Sequence, residues 1–242
     1  DAVKFQKRNP DVCVPEHQKS VMRDTPWGEM TYLDYKYKVE FEKREYDIID
    51  EYCKEKNIAW SASPWDLDSL EFLMQYDLPW IKIPSAMITN EQLMKATAAT
   101  DKKVIFSTGM STYEEIDKAV EWLDNNDYIM LHCNSTYPCP LEEINLSYML
   151  KLKQKYNCMV GYSGHEASVS PSFAAAVLGA KIIERHITLD RAMYGSDQSA
   201  SLSFDGMKTL SDQVRSLDKI MGNGKKIITP AEKKVRDKLR YW

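Results

Sequence analysis

No run of apolar residues approaches the roughly 18 that a membrane-spanning helix needs. The first residues, DAVKFQKRNP, place charges where a secretory signal would need an apolar stretch. There is no C-x-x-C pair either: Cys13, Cys53, Cys133, Cys139 and Cys158 are odd in number and unevenly spaced. That excludes a disulfide framework and a zinc knuckle, and it suits reduced thiols. Basic residues are scattered, 32 Lys and Arg standing against 36 Asp and Glu for a net charge of -4. Nucleic acid and anionic membrane surfaces select concentrated basic charge, so neither is expected as a partner. Together these absences predict a folded cytoplasmic protein.

What is present is ordinary globular material: 242 residues, 43% hydrophobic and 28% charged, enough for one large core. Seven short apolar stretches run into small polar residues, at 2–7 (AVKFQK), 59–64 (AWSASP), 80–85 (WIKIPS), 104–109 (VIFSTG), 129–134 (IMLHCN), 159–164 (MVGYSG) and 181–186 (KIIERH). Helix-period segments separate them. In 113–126 Ile116, Ala119, Val120 and Leu123 share a face, and Ser111 with Glu114 predicts a capping box. In 170–181 Pro171 opens a helix and Gly179 stops it. Strict β-α alternation with strands apolar enough for burial on both faces means a parallel sheet. No G-x-G-x-x-G turn follows the first strand, which favours a (β/α)8 barrel over a doubly wound sheet. Seven strands leave the barrel one short, so strand 1 is expected upstream of Asp1.

Every strand finishes in polar residues, as at the C-terminal mouth of a barrel, where active sites sit. Period-two alternation points Lys4 with Gln6, Ser135 with Tyr137, Ser163 with His165, and Glu184 with His186 to one side. His165 and His186, two of only four histidines, end consecutive strands about 4.8 Å apart, within reach of one ion. Two imidazoles leave coordination positions open, which suits a catalytic Mn²⁺, Mg²⁺, Co²⁺ or Zn²⁺; strand-end histidines in acid-base roles are the alternative. Lys4 and Lys82 lie mid-strand between apolar neighbours, so each needs an anion in the mouth. Ser63, Ser85, Ser107, Ser135 and Ser163 supply hydroxyls at the same level, a basin suited to phosphate or carboxylate. The long connection 8–32 reads as a lid, and 190–204 as a second mouth loop offering Asp197 and Gln198. His17 reads as a surface residue, and Trp80 and Trp122 as core.

The ordered motifs DAVKFQK, ASPWD, KIPSA, STGMS, LHCNSTYP, GYSGHE, ERHITLD and GSDQSASL resemble the sialic acid synthase family, the N-acetylneuraminate synthases and their legionaminate and pseudaminate relatives. The likeness spans the whole chain. It implies condensation of phosphoenolpyruvate with an N-acetylated hexose, N-acetylmannosamine or a di-N-acetylated 6-deoxyhexose, to a nine-carbon 2-keto acid plus phosphate. It implies a divalent ion, Mn²⁺ first and Mg²⁺ or Co²⁺ as alternatives, on His165 and His186. Lys4, Lys82, Ser63, Ser107, Ser135 and Ser163 would cradle phosphoenolpyruvate. Gln6, Tyr137 and Asp197 would face the sugar, and Lys4, Lys82 and Tyr137 would be the catalytic groups.

The pattern departs from the family in three places. The family's strand-1 glutamate precedes Asp1, and its C-terminal antifreeze-like domain, which completes a homodimer, would follow KKVRDKLRYW. The acidic residue two places after the serine of KIPSA is Met87 here. On this reading the 242 residues form one truncated synthase barrel, weakly active or inactive alone and homodimeric in the full-length protein. A 3-deoxy-keto-acid synthase, which would need a further basic cluster at the mouth for its phosphorylated sugar, and a non-catalytic sugar-binding module are the competing functions.

Overall fold

Each of the seven apolar stretches forms a strand. The computed structural model describes residues 1–124, 127–240 and 242. Its parallel strands are β1 (Ala2–Lys7), β4 (Ala59–Pro64), β5 (Trp80–Ile83), β6 (Lys103–Ser107), β7 (Tyr128–Cys133), β8 (Met159–Gly164) and β9 (Ile183–Arg185). β5 to β9 form one ladder in chain order, and β1 pairs with β4. Ser61 Oγ joins the two sheets by donating to the Trp80 carbonyl at 2.5 Å. The sheet curls far enough for Lys4 on β1 to reach Glu184 on β9, Nζ to Oε1 3.5 Å. The result is a curled half-barrel.

Helices cover its outside: α4 (Lys43–Lys56), α5 (Leu67–Leu73), α6 (Glu91–Ala98), α7 (Tyr113–Trp122), α8 (Ser147–Tyr156), α9 (Ser170–Val177) and α10 (Phe204–Met221), followed by the exposed α11 (Pro230–Leu239). Period-two alternation divides the strands cleanly. Outward residues, among them Phe5, Trp60, Ile83, Phe106, Met130 and Tyr162, pack with the helices into the main core. Inward residues at the base, Trp80, Ile105, Ile129, Leu131 and Ile182, form a second cluster that plugs the floor of the half-barrel. Polar side chains sit above that floor.

The connection 8–32 is more ordered than its composition predicts. It holds two one-turn helices, α1 (Pro10–Cys13) and α2 (Glu16–Lys19), and an antiparallel hairpin of β2 (Met22–Thr25) and β3 (Gly28–Thr31). Thr25 Oγ1 donates to the Gly28 carbonyl across the turn, where Gly28 takes φ 97°. α3 (Tyr32–Val39) follows, with Thr31 as its cap. Lys7, facing outward, is buried against the next connection, with Nζ donating to the Phe41 carbonyl and lying 3.4 and 3.3 Å from Glu40 and Glu42.

Two local expectations change. The capping box of α7 is formed by Thr112 and Glu115, one residue later than Ser111 and Glu114; Ser111 Oγ instead donates to the Gly109 carbonyl. The helix stops at Trp122, and residues 125 and 126 of the expected segment lie outside the described residues. Trp80 and Trp122 pack against the core, and His17 is exposed. Among the described residues no helix is long and apolar enough to cross a membrane.

Candidate active site

The mouth is built in two levels, because residues two apart on a strand share a face. At the lower level Lys4, Lys82, Ser107, Ser163 and Glu184 converge from five strands. Lys82 Nζ donates to Ser107 Oγ at 2.7 Å and lies 3.7 Å from Glu184 Oε1, while Ser163 Oγ donates to the same carboxylate at 3.4 Å. Burial would push the Glu184 carboxyl up, but the charges of Lys4 and Lys82, with the nearby imidazoles, outweigh it and hold the group at about 2. For Lys82 burial wins. It pulls the ammonium down to about 8, against the opposing pull of Glu184.

Glu184 is therefore the anion that the two mid-strand lysines require. The sequence signal was its alternation with His186; what the pattern could not show is that one carboxylate serves both lysines. Ser63 is fully buried one strand from Gln6 in register, and its Oγ has no hydrogen-bond partner. Ser135 belongs to a third group: its Oγ lies 3.9 Å from Cys133 Sγ, and Ser85 Oγ accepts from the Gly109 amide at 3.0 Å. A Cβ at Gly109 would collide with Ser135 Oγ and come within 2.8 Å of Ser85 Oγ, so glycine is what leaves the space between these hydroxyls open.

The upper level holds the histidines. His165 Nδ1 can only donate to the Asn134 carbonyl, 2.6 Å away, which fixes the tautomer and leaves the lone pair on Nε2. The Tyr137 hydroxyl donates to that Nε2 at 2.8 Å, its ring stacked on the imidazole at 4.0 Å between centroids. His186 lies 5.4 Å from His165, ring to ring, with Asp197 Oδ2 3.7 Å from its Nδ1. Burial, aided by the neighbouring positive charges, lowers His165 to about 4 despite its carbonyl bond, and burial likewise lowers His186. Both imidazoles are neutral near pH 7. Among the described residues no group of three His, Cys, Asp or Glu side chains is placed to hold an ion.

Gln6 shares this level, but its Oε1 accepts from Arg8. Arg8 is the further basic residue that the sequence reading missed. Its guanidinium lies over Trp65, 4.0 Å from the ring centroid, and feels the charges of Glu40 and Asp197. Met87 instead packs against the helix-side core from its turn after β5. His132, the remaining histidine, faces outward and donates from Nε2 to the Ile144 carbonyl at 2.6 Å. A cleft of about 490 Å³ lined by Thr108, Cys133, Asn134 and Ser135 opens beside the hydroxyl group. A larger groove of about 610 Å³ lies at the opposite end of β8, between Lys153, Asn157 and Lys181, and contains none of these groups.

Comparison with known proteins bears on this arrangement. A model of the NeuB family matches residues 1–226. The N,N'-diacetyllegionaminic acid synthase of Campylobacter jejuni is 36% identical over 241 residues, covering 97% of this chain and 72% of its own. The human N-acetylneuraminate-9-phosphate synthase is 33% identical, covering 99% and 68%. Among solved structures, the sialic acid synthetase of Leptospira borgpetersenii in complex with citrate superposes with a TM-score of 0.82 at 31% identity, over all of this chain and 82% of that one. A truncated 3-deoxy-D-arabino-heptulosonate 7-phosphate synthase from Thermotoga maritima, TM-score 0.65 at 17% identity over 75% of this chain and 74% of its own, shares the fold.

Proposed function

The chain belongs to the NeuB family, enzymes of the sialic acid synthase type, and from that premise we propose that it condenses phosphoenolpyruvate with an N-acylated hexosamine, releasing phosphate. The same reading takes the half-barrel as seven strands of a (β/α)8 barrel. One observation carries the chemistry: Lys4 from the edge strand β1 and Lys82 from β5 converge on one carboxylate of the opposite edge strand β9, directly beneath two neutral histidines. Phosphoenolpyruvate is a compact polyanion. Lys4 and Lys82 offset its charge, while Ser107, Ser163 and the partnerless Ser63 hydroxyl orient its oxygens. Ser85 and Ser135, held apart over Gly109, give a further pair of hydroxyls.

In the reaction, C3 of phosphoenolpyruvate attacks the aldehyde carbon of the open-chain sugar, forming the C–C bond, and the aldehyde oxygen takes a proton. Water adds to the resulting cationic C2, and the C2–O bond to phosphate then breaks, leaving a nine-carbon 2-keto acid. Tyr137, whose hydroxyl already touches an imidazole, and Asp197 and Gln6 line the sugar side. His165 and His186 are the residues that would hold a divalent ion, Mn²⁺ first with Mg²⁺ or Co²⁺ as alternatives. The chemistry fits, since burial keeps both imidazoles neutral and the lone pair of His165 lies on Nε2, in the form that binds metal. Bound there, the ion supplies Lewis acidity to a carbonyl oxygen.

The test is phosphate release from phosphoenolpyruvate with Mn²⁺ and a panel of N-acetylmannosamine, di-N-acetylated 6-deoxyhexoses and N-acetylmannosamine 6-phosphate. Arg8 is the reason for including the phosphorylated sugar, because it adds a cation beside Gln6 at the mouth. Release with one sugar, lost in His165→Ala, supports the proposal and names the substrate. No release with any sugar and any of the three metals contradicts it and favours a binding module.

A further inference from the structure

The motif GYSGHE carries its most polar side chain, Glu166, on the face that the active site does not use. β8 and β9 pair Tyr162 with Ile183, Ser163 with Glu184 and Gly164 with Arg185, so the register carries on to set His165 beside His186. Alternation then sends Glu166 and Arg185 to the outer side of the same two strand ends. There they meet, Arg185 Nη1 to Glu166 Oε1 at 2.8 Å, each side chain only 1% exposed.

This pair is hydrogen-bonded to β8, to α9 and to the segment between them. Arg185 Nη1 also donates to the Ser168 carbonyl at 2.9 Å and to Ser172 Oγ on α9 at 3.0 Å, and Nη2 donates to the Glu166 carbonyl. The other carboxylate oxygen of Glu166 accepts from the Tyr162 hydroxyl at 2.8 Å. Gly164 is part of the same construction: a Cβ there would lie 2.6 Å from Glu166 Oε2 and 2.6 Å from the Tyr162 ring. Glycine therefore makes the room in which the carboxylate folds back over its own strand. Arg185 Nη2 also reaches toward the Ala200 carbonyl at 3.5 Å, and the Leu202 amide donates to the His186 carbonyl at 2.9 Å, tying the Asp197 loop to the same strand end.

A buried ion pair is poor evidence of a stability device, because desolvation consumes much of its Coulomb energy and apolar replacements are often neutral or better. What a forked guanidinium spanning two strand ends and a helix provides is fixed geometry. We propose that the Glu166–Arg185 pair is a clamp, seated on Gly164, that positions His165 and His186 at the mouth. Glu166 and Arg185 are thus positioning residues: they act through the histidine that each adjoins in sequence. The proposal rests on the functional reading above for its consequence in catalysis, though not for its geometry.

The test compares the wild-type chain with Arg185→Lys, Glu166→Gln and the apolar double variant Glu166→Met/Arg185→Met, which removes the pair without stranding a buried charge. Three readouts are taken: Mn²⁺ affinity by paramagnetic resonance titration, phosphoenolpyruvate affinity by calorimetry, and the nuclear Overhauser contact between the Tyr137 and His165 rings in metal-free protein. The expected result is a ten- to hundredfold loss of Mn²⁺ affinity, the range typical of groups that orient metal ligands. Phosphoenolpyruvate affinity should stay within about twofold and the ring contact should weaken, with no rescue by lysine, which lacks the fork. A folded double variant that keeps the wild-type ring contact and Mn²⁺ affinity overturns the clamp. If the wild type itself binds no Mn²⁺, the metal part of the functional reading fails, and the ring contact alone decides for or against the clamp.

Discussion

Buried in the wall of the basin, Lys82 keeps its proton near neutrality because Glu184 faces it. Burial brings its ammonium down to about 8, so in the ligand-free protein the charge is present below that pH and lost above it. Phosphoenolpyruvate binding should weaken as pH rises through about 8, by up to roughly tenfold per unit beyond it, as calorimetry across pH 6.5–9.5 can measure. Lys82→Arg should move that fall out of the range, and Lys82→Met should lower turnover by about a hundredfold or more, the scale of a lost charge-stabilising donor. Glu184 works in the opposite direction. Its carboxyl is held at about 2 against a usual 4.5, so it adds stability above pH 4.5 that is lost as pH falls toward 2. Acid unfolding curves for Glu184→Gln should therefore be flatter between pH 4.5 and 2 than those of the wild type; superimposable curves would remove the carboxylate from this account.

At the scale of elements, the strands were legible in the sequence because each is an apolar run that ends in polar residues, and a parallel strand buried on both faces has no other way to look. β1, β4 and β8 occupy the expected residues, while β5 stops at Ile83 because Pro84 ends the ladder there. Alternation turned Lys4, Ser163, Glu184 and the two histidines inward, and the apolar neighbours of Lys82 turned it to the mouth; Ser85 and Ser135, expected at the level of the other serines, instead form a separate group beside Gly109 and Cys133. Side-chain pairing across strands was not legible: Glu184 as the shared anion, Arg8 over Trp65 and the outward Glu166–Arg185 pair depend on register and curl, which no single segment encodes. The hairpin in the segment 22–31 was hidden because its strands are short, exposed and polar. The α7 cap was misread by one residue because Ser111 and Thr112 each precede a glutamate by three. The two readings separate by experiment. Thr112→Ala should cost about 1 kcal/mol in urea unfolding, and Ser111→Ala should stay within about 0.5 kcal/mol.

Across the whole molecule, two segments distant in sequence meet near Asp197. Tyr35 on α3 meets Tyr194 of the 190–203 loop edge to face, centroids 5.8 Å apart, above the Asp197 side of the site. An aromatic pair of this kind is worth about 0.5–1.5 kcal/mol. Tyr194→Ala should accordingly raise KM for the sugar by roughly two- to tenfold and leave KM for phosphoenolpyruvate unchanged; a change in the phosphoenolpyruvate value alone would detach the contact from the sugar side. Side chains tie the start of the chain to its later elements, Lys4 of β1 to Glu184 of β9 inside and Asp1 to Arg215 of α10 outside. Lys4 is thereby a tie across the fold, and under the proposed function it would be a substrate-facing cation as well.

A site that makes a carbon–carbon bond is tested by following the carbon. With phosphoenolpyruvate labelled with ¹³C at C2, the accepted amino sugar and Mn²⁺, the label should move from the enol region of the spectrum to the anomeric ketal region. It should appear there in step with phosphate release, in a product carrying the mass of a nine-carbon 2-keto acid. Label accumulating in pyruvate while phosphate is released would contradict the account, since the site would then be hydrolysing phosphoenolpyruvate without joining it to a sugar.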